Sequence, residues 1–291
     1  MKKMIKGLVF LTAAVCGLPA AVQAEEPLDH VLEPEQVYEL NLRGDEAPET
    51  FSYKTYVTGE EDGESKAVLD LYLDQELAGS FTEETWSYCW RLSQCTLTDD
   101  RVYLLAASIS DNDSSPQVLL LGADEDGFET IADLAELTRQ TDAEPGRLVS
   151  AWARTSAVSS ANEDGFTVDW FETFRATGAV TVAVPYVLNE DGVTLADAPC
   201  LLDETQEWTA WQAFDVLSST EENAAVAYQV VPGDVVHLTE YVHANGRAYL
   251  KCINQNGEEG WMPDAEEYDS QLAEDGQRFL CGYFEEAIYA G

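Results

Sequence analysis

Short turn motifs constrain the fold of this chain more than any other feature of its sequence. The tripeptide Glu-Asp-Gly occurs at 61–63, 125–127, 163–165, 190–192 and 274–276, and Asn-Gly occurs at 245–246 and 256–257. Asp-Gly and Asn-Gly accept the positive φ angles of tight hairpin turns, and here they separate short runs rich in β-branched and aromatic residues. The sequence therefore predicts a mainly β fold built from antiparallel strands.

Alternating apolar and polar residues locate the strands. Leu69, Leu71 and Leu73 alternate with Asp70 and Tyr72, as expected of a strand with one face on a core. One helix is predicted at 131–139, where apolar residues recur at helical spacing. The predicted strands are Phe51–Val57, Ala67–Leu73, Trp86–Leu97, Val102–Ser108, Val118–Gly122, Leu148–Thr155, Phe166–Phe174 and Val180–Leu188.

Residues 1–24 have the order of a cleavable secretory signal peptide. Three lysines within the first six residues precede an apolar run at 7–21, and Ala24 stands before two glutamates. The run is shorter than the roughly 20 residues of a membrane-spanning helix, and Gly17 and Pro19 interrupt it. We expect cleavage after Ala24 and a secreted or cell-envelope location without membrane insertion, a lipid anchor on Cys16 being the alternative.

The chain is strongly acidic, with 15 basic and 55 acidic residues and a formal net charge of −40 at pH 7. A nucleic-acid partner is excluded because a polyanion needs a basic surface, and the same repulsion disfavours anionic lipid. Seven Trp, thirteen Tyr and ten Phe supply a packed core, so acidity does not indicate disorder here. An acidic surface attracts cationic ligands or metal ions, and it is also compatible with adaptation to high salt. Composition does not distinguish between these alternatives.

Four aspartates are candidate ligands of a calcium ion. Asp111 and Asp113 fall in one predicted loop, and Asp124 and Asp126 fall in the next. Hard cations prefer such carboxylate oxygens, but the order of an EF-hand loop is missing, so solvated turns are the alternative.

Five cysteines follow the signal peptide: Cys89, Cys95, Cys200, Cys252 and Cys281. Their odd number leaves at least one thiol unpaired within a monomer, and none has the close spacing of a zinc or redox motif. Cys89 and Cys95 could pair only if the chain turned between them, because a continuous strand would hold them about 20 Å apart.

Two modules are predicted after the signal peptide. Residues 25–200 form a β-rich domain, either a sandwich or an open barrel. The strand pattern stops over 197–206, where polar residues take over, so this segment is interpreted as the connection to a second module.

The second module carries a recognisable series of motifs. Phe214-Asp215-Val216-Leu217 is followed by Gly233-Asp234 entering an apolar strand, by Tyr249 in the next strand, and by Gly257-Glu258-Glu259-Gly260-Trp261. This series resembles the bacterial SH3-like domain family, whose members share the Gly-Asp pair and a closing Gly-x-x-Gly-Trp. The resemblance covers about 207–264, and the first strand departs from the Asn-x-Arg common in the family.

The resemblance implies a small SH3-like β-barrel over 207–266, with 267–291 packing on it as a C-terminal strap. It also implies an envelope location and recognition of a cell-wall or other peptide ligand. Tyr241, Tyr249 and Trp261 are the candidate binding face, although aromatic residues at such positions also fill the barrel core. If the strap packs along the barrel, Cys252 and Cys281 could form a disulfide.

The sequence shows no catalytic motif. Its three histidines are His30, His237 and His243, and neither a nucleophile elbow nor a phosphate loop accompanies them. Acidic pairs are too numerous to indicate glycoside hydrolysis. We therefore predict a non-catalytic binding or accessory protein of the envelope that recognises an extracellular peptide or cell-wall component, cationic by charge. The alternatives are a structural envelope protein without a small ligand, and a hydrolase with an unrecognised site in residues 25–200.

Overall fold

The computed structural model describes residues 31–45, 47–59, 66–84, 87–98, 101–139, 153–162, 165–189, 192–266, 270–272 and 279–287. The predicted signal peptide and the Glu-Asp-Gly motifs at 61–63 and 274–276 lie outside these ranges.

The described chain is mainly β, as predicted. In its first half the strands are β1 Val31–Leu32, β2 Tyr38–Leu40, β3 Glu49–Thr58, β4 Lys66–Leu73, β5 Glu76–Glu83, β6 Ser87–Thr98, β7 Arg101–Ser110, β8 Val118–Ala123 and β9 Phe128–Asp133, followed by helix α1 Leu134–Thr138. The second half contains β10 Arg154–Asn162, β11 Gly165–Phe174, β12 Gly178–Asn189, β13 Gly192–Leu195, β14 Cys200–Leu201, β15 Glu207–Thr209, β16 Phe214–Leu217, β17 Val226–Val230, β18 Val235–Ala244, β19 Arg247–Asn254, β20 Glu259–Pro263, β21 Ser270–Leu272 and β22 Phe279–Cys281.

These strands form four antiparallel sheets. One has the order β2-β3-β4-β5, a second has the order β1-β6-β7-β8-β9, and β21 pairs with β22. The largest follows the path β10-β11-β12-β14-β18-β19-β20-β16-β17, with β13 added to β12 and β15 added to β18.

The five-stranded sheet is buried on both faces. Leu104 and Ala106 of β7 pack with the four-stranded sheet in one core, whereas Leu105 and Ala107 belong to a second core shared with the largest sheet. The middle sheet therefore separates two cores. This burial explains why β7 and β8 consist of nearly continuous apolar residues, since strands covered on both faces lose their alternation.

Several predicted turns join antiparallel strands. The motif at 125–127 lies between β8 and β9, and the two Asn-Gly motifs lie between β18 and β19 and between β19 and β20. Asn245 and Gly246 have φ angles of 53° and 76°, as a tight hairpin turn requires. The prediction of antiparallel strands from these motifs is confirmed here.

The predicted elements differ from the structure at several positions. The helix begins at Leu134 because Ile131 belongs to β9, and Asp133 caps it by accepting a hydrogen bond from the Ala135 nitrogen at 2.9 Å. The sequence did not predict β1, β2, β5, β9, β13 or β14. Most of the strand predicted at 148–155 lies outside the described residues, and its last two positions belong to β10 Arg154–Asn162. The described residues contain a single helix, α1. It is not long and apolar enough to cross a membrane.

Strand pairing continues through the segment interpreted as a connection between modules. Cys200 and Leu201 form β14, which pairs with Ala183 of β12 on one side and with Tyr241 and Glu240 of β18 on the other. The second core likewise extends from Cys95 to Phe284.

The described part of the predicted strap packs on the C-terminal strands. Phe284 is fully buried, and its ring centroid lies 5.3 Å from that of Trp208 and 5.5 Å from that of Phe214. Ala210 and Phe284 also form a β-bridge. Residues 283–287 are therefore held by both apolar contact and backbone pairing.

Candidate functional site

A cleft of about 480 Å³ opens where three separate segments of the chain meet. The end of β11 and the turn after it, the β18–β19 hairpin, and the residues that follow β20 form its walls. Its volume falls within the range of sites that bind small molecules. The lining residues are Glu172, Thr173, Phe174, Arg175, Tyr241, His243, Gly246, Arg247, Ala248, Asp264, Ala265 and Glu266.

Two aromatic rings form the apolar part of the cleft. The ring centroids of Phe174 and Tyr241 lie 4.9 Å apart, and both side chains are buried. Tyr241 pairs with Cys200 on one side and with Leu250 on the other, so its backbone lies within three hydrogen-bonded strands. The apolar wall is therefore held in place by the sheet itself.

The Asp264 carboxylate joins the C-terminal strands to the β11–β12 turn. Its Oδ1 atom accepts hydrogen bonds from the backbone nitrogens of Ala176, at 2.8 Å, and Ala265, at 3.0 Å. Burial raises the pKa of the Asp264 carboxyl above its ordinary value, although these N–H donors act in the opposite direction. This contact joins two parts of the cleft wall that lie 88 residues apart in the sequence.

Two guanidinium groups line the same cleft and are anchored by backbone carbonyls. Arg247 donates from Nε to the Asp264 carbonyl oxygen at 3.0 Å, and Arg175 donates to the Glu266 carbonyl oxygen. The Nη1 atom of Arg247 lies 3.7 Å from the Glu266 carboxylate, which is 84% exposed. These contacts orient both positive charges at the edge formed by the residues after β20.

Glu172 places a nearly buried carboxylate in the wall. Its side chain is 5% exposed, and Oε1 accepts a hydrogen bond from the Thr173 nitrogen at 2.7 Å. Together with Asp264 and Glu266, it gives the cleft three carboxylates beside two guanidinium groups.

His243 contributes a neutral imidazole. Its Nδ1 atom is buried and has no hydrogen-bond partner within the described residues, and burial lowers the pKa of the ring. Protonation at neutral pH would create a buried N–H without an acceptor, which is costly. The positive charge of the cleft therefore comes from Arg175 and Arg247.

The structure places the three predicted binding residues on two different faces. Tyr241 pairs with Leu250, whereas Tyr249 pairs with Val242 and with Pro263, so Tyr241 and Tyr249 point to opposite sides of the β18–β19 hairpin. Trp261 shares the face of Tyr249. Of the three, Tyr241 lines the cleft.

The other face is occupied by an ion-pair network around Lys251, the strand neighbour of Trp261. Lys251 Nζ lies 2.8 Å from Glu240 Oε1 and 3.3 Å from Glu259 Oε2. Tyr249 itself is buried, and Trp261 is half-buried.

The four predicted calcium ligands do not form one cluster. Asp111 and Asp113 lie in the turn before β8, and Asp124 and Asp126 lie in the turn after it. Six strand residues separate the turns by roughly 20 Å. Asp124 Oδ1 instead accepts the Asp126 nitrogen at 2.8 Å within its own turn. No group of three or more possible metal ligands is found among the described residues.

Cys252 is a buried free thiol in the second core. Cys281 lies in β22, and its side chain is outside the described part of the chain, so the disulfide between them stays a prediction. Cys89 and Cys95 lie on the continuous strand β6, and the turn that their pairing required is absent from this described strand.

Sequence reasoning missed Glu172, Arg175, Arg247 and Asp264. No motif links these positions, because they meet only through the pairing of β12, β14 and β18. The scarcity of basic residues was the one available signal, since few of the residues that line any cleft of so acidic a chain are expected to be basic.

No protein-family model, curated protein or solved structure matches this chain.

Proposed function

We propose that this chain is an exported, non-catalytic binding protein of the bacterial envelope, and that it holds a peptide with a free amine in the cleft. The observation that carries the proposal is the cleft itself, which combines a fixed aromatic wall with three carboxylates. The excess of acidic residues supports a cationic group on the ligand.

The pairing of the C-terminal strands supports an SH3-like module as the scaffold. Strands β18, β19 and β20 form a meander, and β16 pairs with both β17 and β20. In this order β16, the first strand of the resemblance, pairs with β20, the last one. Closure of a small barrel requires such a pairing. A Cβ atom at Gly260 of the Gly-x-x-Gly-Trp motif would lie 2.5 Å from the Leu217 carbonyl oxygen. This short distance explains why the motif has glycine at that position.

The three carboxylates that could bind the amine of the ligand differ in how deeply they are buried. Glu172 is nearly buried, Asp264 is half-buried, and Glu266 is exposed. A charge-assisted hydrogen bond to the nearly buried carboxylate is expected to contribute most, because water competes least there. Glu172 is therefore the residue we assign to the amine.

Isothermal titration of the mature chain with a short amine-bearing peptide and its N-acetylated form tests this proposal. We expect acetylation to weaken binding at least about tenfold, and the affinity for the amine to fall as salt exceeds roughly 0.15 M. Glu172→Gln should remove the preference for the amine while keeping an acceptor for the Thr173 nitrogen. Glu76→Gln, on the exposed start of β5, is the matched control.

Tyr241→Ala is a poor test of the same idea. The side chain is 1% exposed and packs on Phe174, so its removal is expected to destabilise the fold by several kcal/mol. Equal binding of the amine and acetylated peptides, or no binding of either, would contradict the proposal and favour a structural envelope role.

A hydrolase is the second candidate, because Glu172, His243 and Asp264 line the cleft together. Convergent titratable groups in a cleft are the usual mark of catalysis. Mass spectrometry of the peptide after prolonged incubation separates the two candidates: cleavage that Glu172→Gln abolishes would replace the binding role, and an intact peptide would support it.

A further inference from the structure

We infer that the ligand of the cleft is zwitterionic, with a free carboxylate held beside Arg175 and Arg247 in addition to its amine. This inference rests on the proposed function and specifies the chemical class of the ligand. It starts from the charge of the lining, which contains both signs.

The two arginines are unusual because cations are scarce in this protein. The whole chain has 15 basic against 55 acidic residues, yet two arginines line one cleft. Acidic residues could line any cleft of such a chain by chance, whereas two convergent guanidinium groups could not be expected from composition. The positive charges therefore carry more information about the ligand than the negative ones do.

The contacts of Arg247 hold the group in place without neutralising it. Both Nε and Nη2 donate to the backbone carbonyl of Asp264, which has no net charge. Its Nη1 atom lies 3.7 Å from the Glu266 carboxylate, beyond hydrogen-bond distance, and that carboxylate is largely in water. A guanidinium has five N–H donors in a planar fork, so donors remain for a ligand carboxylate.

Arg175 adds a second positive charge: it donates to the Glu266 carbonyl oxygen and also acts electrostatically on the Asp264 carboxylate. Since His243 is neutral, the charged lining consists of two guanidinium groups and three carboxylates. A purely cationic ligand would use the carboxylates and leave the remaining Arg247 donors without a partner on the ligand. A zwitterion satisfies both signs, and a peptide of two or three residues suits a volume of about 480 Å³.

Titration of the mature chain with four forms of trialanine tests the inference: free at both ends, N-acetylated, C-amidated, and blocked at both ends. We expect the free form to bind best, and each single modification to weaken binding at least about tenfold. Arg247→Gln should lower the affinity for the free form toward that for the amide, with Arg175 keeping part of the difference, and should change the affinity for the amide much less. Arg247→Lys should give an intermediate loss, because it keeps the charge without the planar fork.

Arg91→Gln, on an exposed position of β6, is the matched control and should change nothing. A thermal melt of each variant checks that the fold is retained. If the free peptide and the amide bind equally while acetylation still weakens binding, the inference is wrong and the proposed function stands. If no form binds, both are wrong.

Discussion

The indole nitrogen of Trp170 donates a hydrogen bond to the Tyr186 hydroxyl at 3.0 Å, within the core beneath the largest sheet. Both side chains are fully buried, and the Tyr186 ring stacks on Phe166 with centroids 5.1 Å apart. This bond satisfies the one polar side-chain atom of Trp170, which is the largest fully buried side chain among the described residues.

Tyr186→Phe should lower the free energy of unfolding by about 1 to 3 kcal/mol, because the Trp170 N–H would lose its acceptor without gaining water. Urea denaturation of both proteins measures this. Tyr56→Phe is the control, since the Tyr56 hydroxyl bonds to Asp70 at 2.9 Å on an exposed face and its loss should cost no more than about 0.5 kcal/mol. Similar losses in the two variants would contradict the burial argument.

Asp264→Ala should lower the free energy of unfolding by roughly 2 kcal/mol, because the Ala176 N–H loses its acceptor. Asp264→Asn keeps an oxygen at that position, and it should cost much less. Urea midpoints at pH 7 compare the two. An equal loss in both variants would show that the charge, rather than the acceptor, matters there.

The stability of Asp264→Asn relative to wild type should also depend on pH. Burial raises the pKa of Asp264 in the folded state, so the folded chain binds the proton more tightly than the unfolded chain does. This contribution is fully present below the ordinary pKa of the group and is lost as the pH rises through the folded value. The variant should therefore compare more favourably with wild type at pH 7 than at pH 4, and a pH-independent difference would contradict the assignment.

Gly260→Ala should lower the free energy of unfolding by roughly 2 to 3 kcal/mol, because its Cβ would lie 2.5 Å from the Leu217 carbonyl oxygen and 2.6 Å from Val216 Cγ1. Gly257→Ala tests backbone strain alone, since Gly257 has a φ of 78° with open space around it, and about 1 kcal/mol is expected. Thermal melts of both variants distinguish them. A smaller loss at Gly260 than at Gly257 would argue against close contact between β16 and β20.

Native thiol labelling at pH 8 should modify Cys89 before Cys95, Cys200 and Cys252. The latter three are buried, and burial raises the pKa of Cys252 to about 11 and those of Cys95 and Cys200 to about 12. Thiolate is the reactive form, so these side chains should react only after unfolding. Peptide mapping after timed labelling follows each residue.

The same labelling, carried out on unfolded but unreduced protein, tests the predicted disulfide. Protection of both Cys252 and Cys281 until reduction would support the pairing. Full labelling of both before reduction would exclude it.

Hairpin turns and strands with one covered face could be predicted from sequence, because the residues that specify them are close together in the chain. Asn245-Gly246 and the motif at 125–127 specify hairpins through their own backbone preferences, and the alternation in β4 follows from a single covered face. Strand β10 could not be predicted, since its Ser and Ala residues have little strand preference and its position depends on pairing with β11.

The cleft could not be predicted either, because no local pattern brings Glu172 near Asp264. Their approach depends on the insertion of β14 between β12 and β18, in a segment whose polar sequence is typical of a linker. The choice of Tyr241 and Tyr249 as one surface was wrong for a different reason: the two-residue turn at Asn245-Gly246 pairs Ala244 with Arg247, and this register places Tyr249 opposite Val242 rather than opposite Tyr241.

The insertion of β14 into the largest sheet also sets where this gene could be cut and recombined. A crossover at residue 206 would leave β14 paired with β12 but with its other edge uncovered, and would uncover Glu240 and Tyr241 of β18, which would keep only β15 on that side. A crossover before Gly178 would keep β12, β13 and β14 with β18, but it would separate β12 from β11, with which it forms nine residue pairs. Chimaeras of this protein should therefore take residues 165–244 from one parent, so that β11, β12, β14 and β18 stay paired, and should take Asp264, which bonds to Ala176, from the same parent.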